Sequence, residues 1–145
     1  MTTEPAPPTL STVQGAHKNT LKQANAAIRR LDFESFLALC TDDTEWTFVG
    51  DKTLRGKEAV RQWMPTAYPE PPVFEVHHMV ADDAGFLTAI GEITLKNDSG
   101  RPVRHAYCDV WRFRDGKLAQ LQAFVIPVGE IARPSPLGNE EAAAQ

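Results

Sequence analysis

One acidic residue, Asp109, stands among aromatic residues on a stretch whose pattern predicts a β-strand. Successive side chains on a strand point to opposite faces, so Asp109 shares its face with every second residue. The residues on this face are His105, Tyr107, Asp109, Trp111 and Phe113. Burial among aromatic rings raises the pKa of a carboxyl group. A neutral acid can donate a hydrogen bond to a developing enolate, and an ionised one can take a proton next to a carbonyl group. Asp109 is therefore the leading catalytic candidate; the alternative is a structural aspartate bonded to a neighbouring strand or helix.

Two further residues are candidates to assist Asp109. Tyr107 lies two residues away on the same face, at roughly 7 Å, where its alternative is a core tyrosine. His17 lies on the apolar face of a predicted helix and is either a pocket base that pairs with Asp109 or a histidine in the core or at a dimer contact. We place His105 at the rim of the site, and the face of Glu92 stays open because a bulge would reverse it.

Three helices and five strands must position these residues. Val13, His17, Leu21, Ala24, Ile28 and Leu31 recur at spacings of three and four, which predicts a long first helix. Ser11 followed by Gln14 is a capping-box pattern at its start. Shorter helices are predicted at 33–40 and 56–66, and strands at 45–49, 73–81, 86–95, 103–114 and 117–127. Asp115-Gly116 predicts a tight hairpin between the last two strands.

Helices that precede a run of strands joined by short turns predict an α+β fold. The long helix then covers the concave face of a curved antiparallel sheet. We predict one domain, 11–131, between a disordered tail at 1–10 and a flexible tail at 132–145. A pocket is expected beneath the helices. An open cavity of roughly several hundred Å³ with Asp109 at its floor would support a function for it, and a cavity plugged by Trp63 and Phe48 would argue against one. The large residues predicted to line it are Trp46, Phe48, Trp63, Trp111, Phe113 and Phe124.

Composition excludes several classes of partner. The net charge of −4 argues against nucleic acid and acidic membrane surfaces. No run approaches the ~18 apolar residues of a membrane span, and the start of the chain does not resemble a signal peptide, so a cytoplasmic protein is expected. Cys40 and Cys108 are read as reduced thiols, with a disulfide between them as the alternative. No metal or cofactor is expected: His77 and His78 are adjacent on a strand, so their side chains should diverge, and no other ligand spacing occurs.

These features, in this order, resemble the nuclear transport factor 2-like superfamily, in its SnoaL-like and ketosteroid isomerase-like branch. Three segments carry the resemblance: "LDFESFLALCTDDTEW", "LRGKEAVRQW" and "DVWRFRDGKLAQLQAF". The resemblance implies a cone-shaped α+β barrel, the cystatin-like roll, that is often dimeric through the outer face of its sheet. Its members include isomerases, polyketide cyclases, epoxide hydrolases, dehydratases and binding modules without catalysis, so the fold does not fix the function.

The resemblance also implies roles for individual positions. In related ketosteroid isomerases the aspartate at the position of Asp109 is a protonated oxyanion donor, and in SnoaL-like cyclases an aspartate on this strand is a base. The general base of the isomerases falls at or beside Phe48, where Thr47 is no carboxylate either, and their helix tyrosine falls at Ala24. We therefore do not expect steroid isomerase chemistry.

Two hypotheses follow. The first is a cofactor-independent acid–base enzyme of isomerase, cyclase, hydratase or hydrolase type that acts on a small, apolar carbonyl compound. The second is a small-ligand-binding or dimeric interaction module without a reaction. In both, the expected partners are a small hydrophobic molecule and a second copy of the chain.

Overall fold

The computed structural model describes the backbone of residues 9–130 and the side chains of residues 12–129. The first helix starts at Thr9, inside the predicted tail 1–10, and the predicted C-terminal tail lies outside the described residues. The helices are α1 (Thr9–Arg29), α2 (Phe33–Leu37) and α3 (Lys57–Ala67), and the strands are β1 (Cys40–Phe48), β2 (Lys52–Arg55), β3 (Val73–Ala81), β4 (Phe86–Lys96), β5 (Pro102–Arg114) and β6 (Lys117–Glu130).

The six strands form one curved, unclosed sheet in the order β2-β1-β6-β5-β4-β3. The predicted α+β class is confirmed, and β3 to β6 form the predicted antiparallel meander. The sheet is not wholly antiparallel, however, because β1 lies parallel to β6. A long connection through the rest of the domain makes that parallel pairing possible.

The first strand is longer than its sequence pattern indicates. It begins at Cys40, a residue that the pattern places at the end of the second helix, and α2 stops at Leu37. The hydroxyl of Thr44 donates to the backbone oxygen of Leu118 at 3.1 Å, so contacts with β6 override the local helical pattern. The short strand β2 was not predicted, because three of its four residues are polar and it pairs only at the edge of the sheet.

The core lies between the helices and the inner face of the sheet. Leu21, Ala24 and Ile28 of α1 are buried, as the helical spacing predicts. They belong to the same buried cluster as Trp111 and Phe113 of β5. Among the described residues, no helix combines the length and the apolar character that a membrane crossing requires.

A β-bulge shapes the edge strand β3. Its register against β4 shifts between Val76 and His78, which leaves His77 as an extra residue. His77 and His78 are both exposed, and the expectation that their side chains diverge stays a prediction. The bulge keeps the apolar side chains on either side of it half-buried. These residues are Phe74, Val76, Met79 and Ala81.

Candidate functional site

A cavity of about 120 Å³ lies among α1, α3 and the inner face of the sheet. Its wall is mostly aliphatic and aromatic. Apart from three tryptophans, the polar residues in the wall are Asn25, Tyr68, Tyr107 and Asp109. The cavity is smaller than an open one of roughly several hundred Å³, because large rings fill that space. The Trp63 ring lies 5.0 Å from Phe48 and 5.7 Å from Tyr68, centroid to centroid.

Four of the six residues predicted to line the pocket lie in its wall: Trp46, Phe48, Trp63 and Trp111. Phe124 does not, and that prediction is wrong. It pairs with Cys108 on the outer face of the sheet and is 38% exposed, whereas its neighbours Ala123 and Val125 face the cavity. Phe113 faces inward and is buried, but it lies in the core beyond the cavity wall.

Asp109 lies in the middle of β5, where small residues flank it on both sides. Its register partners are Ala89 of β4 and Ala123 of β6, which leave room in front of its carboxyl group. The carboxyl group makes no hydrogen bond or ion pair with any residue that the structure describes. Burial raises the pKa of Asp109 to about 7. Asp109 is half-buried, and an acid that lines an apolar cavity wall without a protein partner is rare in a purely structural role.

Two tyrosines share the cavity with Asp109. Burial, followed by the negative charge of Asp109, raises the pKa of Tyr68 and of Tyr107 to about 12. Both phenols therefore stay protonated at neutral pH and can act as donors. The Tyr107 hydroxyl makes only a long contact of 3.5 Å with the backbone oxygen of Glu75. No hydrogen bond from the Tyr68 hydroxyl to another described residue is formed.

Sequence reasoning missed Tyr68 and Asn25. Tyr68 directly follows α3, and its backbone N–H donates to the oxygen of Met64 at 2.8 Å. The available signal was its spacing of four residues from the apolar Met64, which places both on one helical face. The prolines around Tyr68 obscured this helical pattern. Asn25 is not among the apolar positions that predict α1, yet it lines the cavity beside Leu21 and Ile28. Its spacing of four and three from those two apolar residues was the available signal.

His17 does not reach Asp109, so the predicted pair is wrong. Its ring stacks on Phe113 with centroids 4.1 Å apart, and its buried Nδ1 has no hydrogen-bond partner among the described residues. Phe113 is four residues from Asp109, roughly 13 Å along the strand. Glu92, whose orientation the sequence left open, bonds Arg104 at 3.3 Å and does not line the cavity.

Other candidate chemistry is absent from the described part of the chain. No three side chains of the types that bind metals lie close enough together to hold an ion within residues 12–129. Both cysteines are free thiols, and burial raises the pKa of Cys40 to about 12. His105 is half-buried outside the cavity wall, with its Nδ1 3.0 Å from the backbone oxygen of Val103.

Residues 21–121 match the profile of the SnoaL-like domain family. The chain belongs to this family. No curated protein matches this SnoaL-like chain at a significant level. Solved structures resemble it at the level of the fold, which is nuclear transport factor 2-like as expected.

Three solved structures illustrate that fold. An NTF2-like protein of unknown function from Cytophaga hutchinsonii is 19% identical with a TM-score of 0.64, over 79% of this chain and 99% of its own. An LEH-like epoxide hydrolase from Mycobacterium tuberculosis is 18% identical with a TM-score of 0.67, over 77% of this chain and 83% of its own. SalBIII, an epoxide hydrolase/cyclase-like enzyme of pyran ring formation in salinomycin, is 16% identical with a TM-score of 0.68, over 77% of this chain and 92% of its own.

Proposed function

We propose that this SnoaL-like protein is a cofactor-independent acid–base enzyme in which Asp109 removes a proton next to the carbonyl group of a small, largely apolar molecule. One observation carries the proposal: a carboxyl group without a partner among the described residues faces a largely apolar cavity. Its pKa of about 7 suits a general base, because the group is ionised in a useful fraction at neutral pH and still binds a proton readily.

The composition of the cavity wall favours the role of base over that of donor. Asp109 is the one carboxyl group in the wall, and the other titratable groups, Tyr68 and Tyr107, are weak acids that stay protonated. If Asp109 were the hydrogen-bond donor, the cavity wall would contain no base. With Asp109 as base, the tyrosines supply the donors.

The reaction then follows from these roles. The Asp109 carboxylate takes the α-proton, and the C–H bonding electrons move to the carbonyl oxygen as an enolate. A tyrosine hydroxyl donates a hydrogen bond to that oxygen and stabilises its charge. In an isomerisation the enolate is conjugated with a neighbouring C=C bond of the substrate, and protonated Asp109 returns the proton to the far carbon of that bond, which shifts the double bond. In a cyclisation the enolate carbon attacks a second carbonyl instead, and the proton ends on the new alkoxide.

The size of the cavity bounds the reacting part of the substrate. A cavity of about 120 Å³ is close to the engineered ~150 Å³ cavity that binds benzene. We therefore expect a single ring or a short branched chain beside Asp109, with any larger part of the substrate outside the cavity.

Deuterium exchange tests the proposal without knowledge of the natural substrate. Small cyclic ketones and 1,3-diketones are incubated with the protein in D₂O, and loss of the α-proton signal is followed by NMR. We expect Asp109→Asn to lower the exchange rate by at least ~100-fold while ligand affinity stays within about tenfold. Equal exchange rates with wild type and variant would remove Asp109 from the mechanism.

The second candidate function is a ligand-binding module. It is favoured by the small cavity and by the lack of a second acid or base beside Asp109. Ligands that bind to wild type and to Asp109→Asn, with no exchange above solvent background in either, would support this function instead.

We also propose that the protein is a homodimer through the outer face of the sheet. Ile90 of β4 and Phe124 and Ile126 of β6 are 41%, 38% and 60% exposed there, on the two strands that flank β5. Contiguous exposed apolar side chains of this kind commonly mark an interaction surface.

A further inference from the structure

A second concavity, which we call the α1–β3 groove, has a volume of about 540 Å³ and lies between α1 and the edge strand β3. Lys22, Asn25 and Arg29 line its helix side, at spacings of three and four that place them in one stripe. Residues 74–79 of β3 line its other side. Asn25 and Phe74 belong to the walls of both the groove and the interior cavity, so the two spaces adjoin.

The groove carries two cations that no carboxylate neutralises within the described part of the chain. Neither Lys22 nor Arg29 forms an ion pair there. Glu75 is the one acidic residue in the groove wall, and its carboxylate contacts His77 at 3.5 Å. The groove wall is therefore positive on its helix side, in a protein whose net charge is −4.

Arg29 is held in place before any ligand arrives. Its guanidinium lies over the Phe74 ring, 3.9 Å from the centroid, and donates to the Phe74 backbone oxygen at 3.2 Å. A guanidinium has five N–H donors in a fixed fork, so most remain available for an anion. Its charge also lowers the pKa of Tyr107, opposing the larger effect of burial, which places Arg29 within electrostatic reach of the cavity.

We propose that the α1–β3 groove binds the carboxylate tail of the substrate, with Lys22 and Arg29 as its ligands and Asn25 at the junction with the cavity. This inference rests on the proposed function in placing the carbonyl-bearing head of the substrate at Asp109. It narrows the substrate class to small carbonyl compounds that bear a carboxylate a few bonds from an apolar head. The groove, about four times the volume of the cavity, accommodates the part of the molecule that the cavity cannot.

Paired binding measurements test this inference independently of catalysis. The probes are phenylalkanoates with one to four methylene groups and the matching primary amides, titrated by calorimetry at low salt. We expect at least one carboxylate to bind wild type at least ~10-fold more tightly than its amide. Lys22→Met and Arg29→Gln should each reduce that ratio to about threefold or less, because each removes one charge from the groove.

Lys18→Met is the matched control, because it removes the same charge from the same helix, one turn away and outside the groove wall. It should leave the ratio unchanged. Equal affinity for acids and amides in wild type, no binding of any probe at millimolar concentration, or an equal loss in Lys18→Met would overturn the inference. The ratio of acid to amide affinity is measured in Asp109→Asn as well. If that ratio is preserved while wild type shows no exchange activity, only the proposed reaction is refuted and the groove assignment stands.

Discussion

At the scale of single residues, Asp109 is the group whose surroundings decide the function. Its side chain gains no hydrogen bond from the described residues, so folding desolvates the carboxyl group in part without compensation. The cost is tolerated because the carboxyl group can stay protonated. A pKa near 7 is thus both a cost to stability and a resource for proton transfer.

The stability cost of Asp109 should depend on pH. Its pKa is raised from 3.8 to about 7 on folding, so between these values the native state binds more protons than the unfolded state. The free energy of unfolding of wild type, relative to Asp109→Asn, should fall between pH 4 and pH 7 and level off above. This difference in the free energy of unfolding should change by at most about 1.4 kcal/mol per pH unit. Urea unfolding of both proteins at several pH values measures it; a constant difference would show that Asp109 titrates normally.

The two tyrosines should contribute unequally to the reaction. The Tyr107 hydroxyl already has a weak partner in Glu75, whereas the Tyr68 hydroxyl has none among the described residues. We expect Tyr68→Phe to lower the exchange rate by about 100-fold, the usual loss for one oxyanion donor. Tyr107→Phe should cost less. Deuterium-exchange kinetics on the two purified variants measure these losses. A larger loss in Tyr107→Phe would make Tyr107, not Tyr68, the main hydrogen-bond donor.

At the scale of elements, the sequence predicted the strands better than the site. The strand 73–81 was predicted residue for residue, and 86–95 and 103–114 to within one residue at either end, because alternation and turn residues are local signals. Strand β1 and the missed β2 depend on pairing with β6 and with each other, which no local pattern encodes. Phe124 was misplaced because size, rather than parity along β6, was used to orient it.

The edge strand β3 approaches β4 so closely that only glycine fits at position 91. A Cβ there would collide with the backbone oxygen of Glu75 and approach the Tyr107 hydroxyl to 2.9 Å. We expect Gly91→Ala to destabilise the fold by at least ~2–3 kcal/mol, because a backbone atom must shift. Gly15→Ala is the matched control: nothing lies within 4 Å of its Cβ, and alanine favours a helix by roughly 0.5–1 kcal/mol.

Thermal or urea unfolding of Gly91→Ala, Gly15→Ala and wild type measures both stability changes. Equal stabilities for Gly91→Ala and wild type would mean that β3 can move away from β4. Gly91 is the register partner of Val76 in the bulged strand and of Tyr107 in β5, so such mobility would also change the pairing beside Tyr107.

At the scale of the whole molecule, the two faces of the sheet differ in what they carry. The inner face holds the cavity, and the outer face carries exposed apolar side chains in the middle of the sheet. If the outer face is the dimer interface, Phe124→Glu should convert the protein to a monomer, because it places a charge in the centre of that surface. Val73→Glu, at a corner of the sheet and 68% exposed, should not. Light scattering after size-exclusion chromatography measures both, and a monomeric wild type would refute the dimer.

The family match and the fold neighbours establish the architecture and leave the reaction open, because one fold supports several chemistries. The cavity wall of this chain has a single carboxyl group and two protonated tyrosines, and the adjoining groove has two cations. These features favour proton transfer on an anionic carbonyl compound.

The pH dependence of deuterium exchange tests the central claim, that Asp109 is the base, most directly. With wild type and an exchangeable ketone, the rate should rise about tenfold per pH unit below pH 7 and level off above it, following ionisation of Asp109. Asp109→Asn should show only the solvent background at every pH. A rate that falls as pH rises through 7, or the same profile in wild type and Asp109→Asn, would contradict the claim.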